Sequence, residues 1–245
     1  MINPLPAQEN QQNLRTLEVR LGYRFSDPGL LQKALVHSSY AFEQGGESKN
    51  DNETMEFLGD AVLDLAIGHA LYRHYPEMRE GDLTRLRAAL VNERHLAQMA
   101  REVELGLHLM LGKGEEGSRG REKDSILSCA YEAVVGAIFL DAGYPAAALF
   151  VESHFIPWFA RRQQSLFLAD AKSSLQELLQ ERFSEGPRYM LDGAEGPDHD
   201  KTFHVTVWFH DRLLGSGSAR SKKEAEQLAA AEALQNVAVP DPDTP

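Results

Sequence analysis

The chain has 245 residues, 42% of them hydrophobic, and a formal net charge of −12. That length holds one large or two ordinary domains with a real core. The acidic balance excludes a polycationic coat for nucleic acid, while a local basic patch or bound metal ions can still meet phosphate. Cys129 is the only cysteine, which excludes an intrachain disulfide and points to a reducing compartment.

Residues 1–13 are polar, with neither a basic start nor an apolar core, and read as a disordered N-terminus rather than a signal peptide. The longest apolar run, residues 133–140, falls short of the about 20 residues that cross a bilayer, so a soluble, cytoplasmic protein with no membrane partner is expected. A short helix begins near Leu14. Ser26-Asp27-Pro28 is a helix start, with Ser26 or Asp27 as cap and Pro28 in the first turn. Residues 30–40 follow with helical apolar spacing and end in Val36-His37-Ser38-Ser39-Tyr40. Residues 43–52 form a polar, Gly-rich loop.

The next segment carries the chemistry. At about 100° per residue, and with Glu53 at zero, Glu56 falls near about −60°, Asp60 near about −20° and Asp64 near about +20°. Four carboxylates share one stripe, flanked by Phe57, Leu63 and Ile67. No Lys or Arg occurs between Lys49 and Arg73, so no base on the same helix pairs with them at i,i+4. A solvated acidic face is the ordinary explanation of such a stripe. Unpaired carboxylates beside apolar groups are costly, however, unless a cation neutralises them, and oxygen donors suit Mg²⁺ or Mn²⁺. The helix runs to about Tyr75, and Pro76 ends it.

Glu80-Gly81-Asp82 opens a further helix with Asp82 as its cap. Leu83, Leu86, Leu90, Leu96, Met99 and Val103 are its apolar positions, and Arg85, Arg87, Arg94 and Arg101 read as solvated. Residues 113–123 read as a mobile, Gly- and charge-rich loop. Residues 125–140 are apolar almost all round, the pattern of a helix buried mid-domain. Glu132 is the one acid in it before Asp141, with no base between them, and needs a partner from elsewhere: a backbone donor, an arginine or a metal. Residues 145–163 form another helix. A helical domain over 14–164 then gives way, through a linker at 165–169, to a segment of different grammar at 170–238. There the spacing predicts a helix over 171–182 and strands over 188–191, 203–209 and 213–218. A polar loop covers 193–201, and Ser221 caps a last, alanine-rich helix over 222–236. Helix, three strands and helix make a small α+β unit with both helices on one face of an antiparallel sheet. Residues 239–245 are a Pro- and Asp-rich tail.

Residues 52–63, Asn-Glu-Thr-Met-Glu-Phe-Leu-Gly-Asp-Ala-Val-Leu, resemble the signature of the bacterial ribonuclease III family, NERLEFLGDAVL. Residues 170–237 resemble the double-stranded-RNA-binding domain that follows the nuclease domain in that family. The resemblance implies an all-α nuclease domain that forms a homodimer through the signature helix, followed by an α-β-β-β-α domain. It implies hydrolysis of both strands of double-stranded RNA, in ribosomal and messenger RNA processing. It places Glu56, Asp60 and Glu132 on the catalytic Mg²⁺, for which the oxygen donors leave Mn²⁺ as the alternative, with Asp60 and Glu132 as the catalytic pair. Glu53 and Glu80 match auxiliary acids at the cleft, and Phe57 matches an aromatic that packs into the partner subunit. One position departs: the family has an Asp three residues before the last acid, and here Cys129 stands there. A neutral thiol is a poor ligand for a hard cation. It either leaves the shell to three carboxylates and water or simply packs.

Residues 170–237 hold eight bases against twelve acids, so general basicity does not carry the RNA-binding reading. Its bases are concentrated instead. Arg220, Lys222 and Lys223 stand at the start of the last helix, where the helix N-terminus adds a field favourable to phosphate. The resemblance assigns these three to phosphates across a major groove. It assigns Ser173, Gln176, Gln180 and His199 to two minor grooves, in a module that spans about 16 base pairs and reads A-form shape. The acids suit phosphodiester hydrolysis on their own account, since a divalent cation can activate water, neutralise the phosphate and assist the leaving oxygen. The competing reading is a catalytically weakened double-stranded-RNA-binding or ribosome-associated protein, which Cys129 alone favours.

Overall fold

The computed structural model describes residues 7–45, 50–197 and 200–238, and the chain divides into two compact units between Arg162 and Gln163. The first unit contains α1 (Ala7–Leu21), α2 (Pro28–Ala34), α3 (Ser38–Glu43), α4 (Glu53–His74), α5 (Glu80–Val91), α6 (Glu93–Glu102), α7 (Lys113–Gly117) and the beginning of α8 (Asp124–Phe183). Short 3-10 turns at Leu105–His108 and Gly120–Glu122 join them. Among the described residues of this unit the only β pairing is an isolated bridge between Val36 and Met110.

Apolar residues at helical spacing build its core. Leu63, Ile67 and Leu71 of α4, Leu86 and Leu90 of α5, and Tyr131 and Phe155 of α8 are all fully buried, the leucines, Ile67 and Phe155 each contributing about 1.5–3 kcal/mol by leaving water. An apolar window of α8 is long enough to cross a membrane by composition. In this fold its side chains from Ala130 through Ile138 are core: Ala130, Ala133, Val134, Val135, Ala137 and Ile138 are buried. α8 is not one straight rod, because Gly143 breaks the helical path at φ 76°, ψ −178°. The two helices expected at 125–140 and 145–163 lie on either side of that break.

Several boundaries differ from the sequence expectation. α1 begins at Ala7, so residues 7–13, expected to be disordered, are helical. The single helix expected over 82–103 is two, because Asn92 leaves the helical path and caps α6 by accepting from the His95 N–H at 3.0 Å. Asp82 is not the cap of α5; Arg79 is, and Asp82 pairs with Arg85 inside the first turns. The arginines are not merely solvated: Arg101 reaches Asp124 at 2.5 Å and Arg87 lies 3.9 Å from Asp64. The expected loop at 113–123 holds α7 and a 3-10 turn, pinned by Lys123 to Glu115 at 2.6 Å and Arg121 to Glu116 at 2.8 Å. Residues 165–169, expected as a linker, are helical.

The second unit contains the end of α8, then β1 (Arg188–Glu195), β2 (Thr202–Phe209), β3 (Arg212–Ala219) and α9 (Lys222–Ala238). The strands form one antiparallel sheet in the order β1-β2-β3. Alternation along β2 turns Val205 and Val207 inward, onto Leu175 and Leu179 of α8 and Ala225, Ala229 and Ala233 of α9. Small residues on both sides set that approach: a Cβ on Gly217 would stand 2.3 Å from the Ala225 carbonyl oxygen. β1 runs four residues beyond its expected end, through a bulge between Leu191 and Gly193.

Candidate active site

Two glycines set the distance between α4 and α8. A Cβ on Gly59 would lie 1.8 Å from the carbonyl oxygen of Glu132, and one on Gly136 would lie 2.4 Å from that of Met55. The helices therefore cross backbone against backbone. Side chains beside the crossing, Glu56 and Asp60 on α4 and Cys129 and Glu132 on α8, are directed into one space. The first turn of α4 is fixed separately. The buried Asn52 donates from its backbone N–H to Val36 O at 2.9 Å and from Nδ2 to Ala34 O at 3.1 Å. The buried Asp51 accepts from the Glu53 N–H at 3.2 Å. Asn52 thus ties α4 to the end of α2 while Asp51 serves the orphan donor of the first turn.

The result is an open cleft lined by His37, Ser38, Asn52, Glu53, Glu56, Phe57, Asp60, Ser125, Ile126, Cys129 and Glu132. Among the described residues, no Lys or Arg is in that lining. Glu53 and Asp60 are exposed at its rim, and Glu56 and Glu132 are half-buried. Burial, reinforced by the charges of Asp60, Glu56 and Asp64, pushes the Glu132 carboxyl up to about 7. Burial, the hydrogen bond to Glu56 and the neighbouring negative charges push the Cys129 thiol up to about 12. Both shifts reflect burial first and the crowding of negative charge second. Glu56, Cys129 and Glu132 each offer a ligand atom, and the three atoms lie within 4.8 Å of one another. The carboxylate oxygens suit a divalent cation such as Mg²⁺ or Mn²⁺, whereas the sulfur does not.

Of the expected site residues, Glu53, Glu56, Phe57, Asp60, Cys129 and Glu132 meet in this cleft. Glu80 is not among its lining residues; it stands exposed in the first turn of α5 and accepts from the Thr84 hydroxyl at 2.9 Å. Asp64 is not among the cleft's lining residues and lies 3.9 Å from Arg87. Phe57 does not shelter the acids: it is 80% exposed, in line with the exposed Ala61 and Leu65 along α4. Sequence reasoning missed Gly59 and Gly136. A glycine inside a strongly apolar helix was the available signal, since it is tolerated there chiefly for close packing.

In the second unit Ser173, Gln176 and Gln180 line one shallow groove with Glu177 and Glu181. Ser221 caps α9 by accepting from the Glu224 N–H at 3.2 Å. Arg220 lies 3.4 Å from Asp200, Lys222 lies 3.9 Å from Glu226, and Lys223 is exposed beside them. His199 lies outside the described residues.

Comparison with known proteins adds to this geometry. A family model described as Ribonuclease-III-like matches residues 27–158, and one described as Double-stranded RNA binding motif matches residues 171–237. Ribonuclease 3 of Desulfotalea psychrophila is 61% identical over 94% of the chain and 95% of that protein. Ribonuclease 3 of Syntrophobacter fumaroxidans is 49% identical over 92% of the chain and 95% of that protein. A solved structure of the nuclease domain of ribonuclease III from Campylobacter jejuni, concerned with a region involved in dimer formation, is 43% identical with a TM-score of 0.53. It covers 58% of the chain and 99% of that domain.

Proposed function

Because the chain belongs to the ribonuclease III family and is an endoribonuclease of that type acting on double-stranded RNA, we propose that it works with Mg²⁺ held by Glu56, Asp60 and Glu132, and that it acts in the cytoplasm on ribosomal and messenger RNA precursors. The observation that carries the metal assignment is the convergence of these acids in one cleft with no Lys or Arg among the described residues of its lining. When bound, the ion supplies an activated water, charge neutralisation on the phosphate and assistance to the leaving oxygen.

The protein's own part is to hold and orient. Glu56 and Glu132 face each other across the glycine crossing, and Asp60, one turn along α4 from Glu56, completes the acidic wall. Asp60 and Glu132 are the catalytic pair of this reading, and Glu53 at the rim is the auxiliary acid. Glu80 is not brought to the cleft of a single chain and is assigned no part in it. One cleft per chain cuts one strand, so hydrolysis of both strands calls for two copies. The exposed line of Phe57, Ala61 and Leu65 on α4 supplies an apolar surface for that homodimer. In the second unit, Ser173, Gln176 and Gln180 present hydrogen-bonding groups to minor grooves, while Arg220, Lys222 and Lys223 meet phosphate.

The test uses the purified chain, a long perfect RNA duplex and Mg²⁺ titrated against an EDTA control. Metal-dependent cleavage of both strands supports the reading. Duplex binding without it would favour the weakened binding protein, for which Cys129 at a ligand position is the one structural argument.

A further inference from the structure

One donor of the cleft does not match the preference of Mg²⁺. Glu56 and Glu132 contribute carboxylate oxygens, but the third converging group is the Cys129 sulfur. The atoms of these three side chains lie within 4.8 Å of one another, and the thiol is half-buried against Glu56. Mg²⁺ takes oxygen ligands in near-ideal octahedral geometry and keeps its waters. Borderline and soft divalent ions accept thiolate together with carboxylate. With metal–sulfur distances of about 2.3 Å and metal–oxygen distances of about 2.1 Å, tetrahedral ligands stand about 3.4–3.6 Å apart. The three donors sit within 4.8 Å of one another on two helices whose separation the glycine crossing sets.

We propose that Cys129 is a metal ligand, and that with Glu56 and Glu132 it forms a sulfur–oxygen–oxygen site for a thiophilic divalent ion such as Zn²⁺ or Co²⁺, which competes with Mg²⁺ for the same cleft. This rests on the reading of the cleft as a metal centre and extends it to a class of ion that an all-carboxylate site would hold less well. On binding, the Cys129 S–H bond breaks, the sulfur–metal bond forms, and the proton passes to the buffer. No oxidant or reductant takes part. The consequence is a nuclease that Zn²⁺ occupies ahead of Mg²⁺, so its activity falls as free zinc rises.

Cys129 is the only cysteine in the chain, so any thiolate–metal signal from this chain belongs to it. The decisive measurement is a Co²⁺ titration of the full chain followed by absorption. The expected result is a near-ultraviolet sulfur-to-cobalt charge-transfer band that saturates with the visible ligand-field bands. That band is absent from Cys129→Ser and Cys129→Asp, while Cys129→Asp keeps its ligand-field bands. Competition by Zn²⁺ and Mg²⁺ against bound Co²⁺ gives the second readout. The ratio of Zn²⁺ to Mg²⁺ affinity falls at least about 10-fold on going from the wild-type chain to Cys129→Asp, the size of effect that a change in ligand set produces. Circular dichroism of each variant controls for folding. Ligand-field bands without a charge-transfer band, or an unchanged affinity ratio, overturns the proposal. Parallel Mg²⁺-dependent cleavage of an RNA duplex separates this outcome from failure of the nuclease reading. Cleavage without the sulfur band sinks only the Cys129 site, and the sulfur band without cleavage supports the site while sinking the activity.

Discussion

Glu132 sits near neutrality because burial and the charges of Asp60, Glu56 and Asp64 oppose its ionisation, so a cation entering the cleft completes its charge as well as gaining a ligand. Removing that charge should be felt in cleavage far more than in RNA binding. Glu132→Gln and Asp60→Asn are each expected to lower the cleavage rate at saturating duplex at least about 100-fold, with duplex affinity in EDTA unchanged; a normal rate in either variant would overturn the assignment. Cys129→Asp restores oxygen at a position now held by sulfur, and the Mg²⁺ concentration for half-maximal cleavage is expected to fall. His95 shows the opposite electrostatic situation. Its ring is fully buried, and Arg162 stands 2.7 Å from its Nδ1. Burial, and then the Arg162 charge, press its pKa down from 6.5 to about 4. The folded state therefore favours the neutral ring. The stability this gives is complete above about pH 6.5 and is lost as pH falls toward about 4, because the unfolded chain binds a proton that the folded chain does not. The loss should amount to about 3 kcal/mol at most. Tm measured between pH 4 and 7 should fall more steeply for the wild-type chain than for His95→Gln, and parallel curves would show that His95 is not the sensor.

At the scale of elements, the α4–α8 crossing determines whether a site exists. Gly59→Ala places a methyl group where the Glu132 carbonyl oxygen lies, which forces the helices apart and costs about 1–3 kcal/mol of stability. Both the urea midpoint and the metal affinity of this variant should drop; a stable variant with intact metal binding would show that the crossing is slack. The acidic stripe and the apolar helix of Glu132 were legible in the sequence, since helical periodicity places Glu53, Glu56 and Asp60 together. So was the order of strands and helices after residue 170, through the alternation of Phe203 to Phe209 and the Ser221 cap. What periodicity could not give was the meeting of α4 with α8, because it depends on two glycines that contribute nothing to an amphipathic pattern. Asn92 also went unread: in the sequence it is one polar residue within a continuous apolar period, and only its bond to the His95 N–H makes it the start of a new helix. Residues 113–123 looked mobile from their glycines and charges, yet those charges are the ones that pin the segment to itself and to the carbonyls of Gly106 and Leu109. Ion-pair partners are a tertiary fact and leave no mark on composition.

For the whole molecule, net acidity and RNA binding coexist, on the reading proposed above, because the bases assigned to phosphate are few and local. Arg220, Lys222 and Lys223 cluster at one helix start, within a unit whose acids outnumber its bases. Binding to duplex RNA should weaken steeply with salt, and Lys222→Ala with Lys223→Ala should reduce the slope of log affinity against log salt by about one unit per lost phosphate contact. An unchanged slope would place the contacts elsewhere. The exposed line of Phe57, Ala61 and Leu65 gives this balance a further dimension. With a strand-cutting centre on each chain and that stripe as the proposed dimer surface, double-strand cleavage becomes subject to mass action. On that proposal, dilution is expected to separate the pair and leave a species that nicks without severing, so output per molecule would depend on how much of the protein is present.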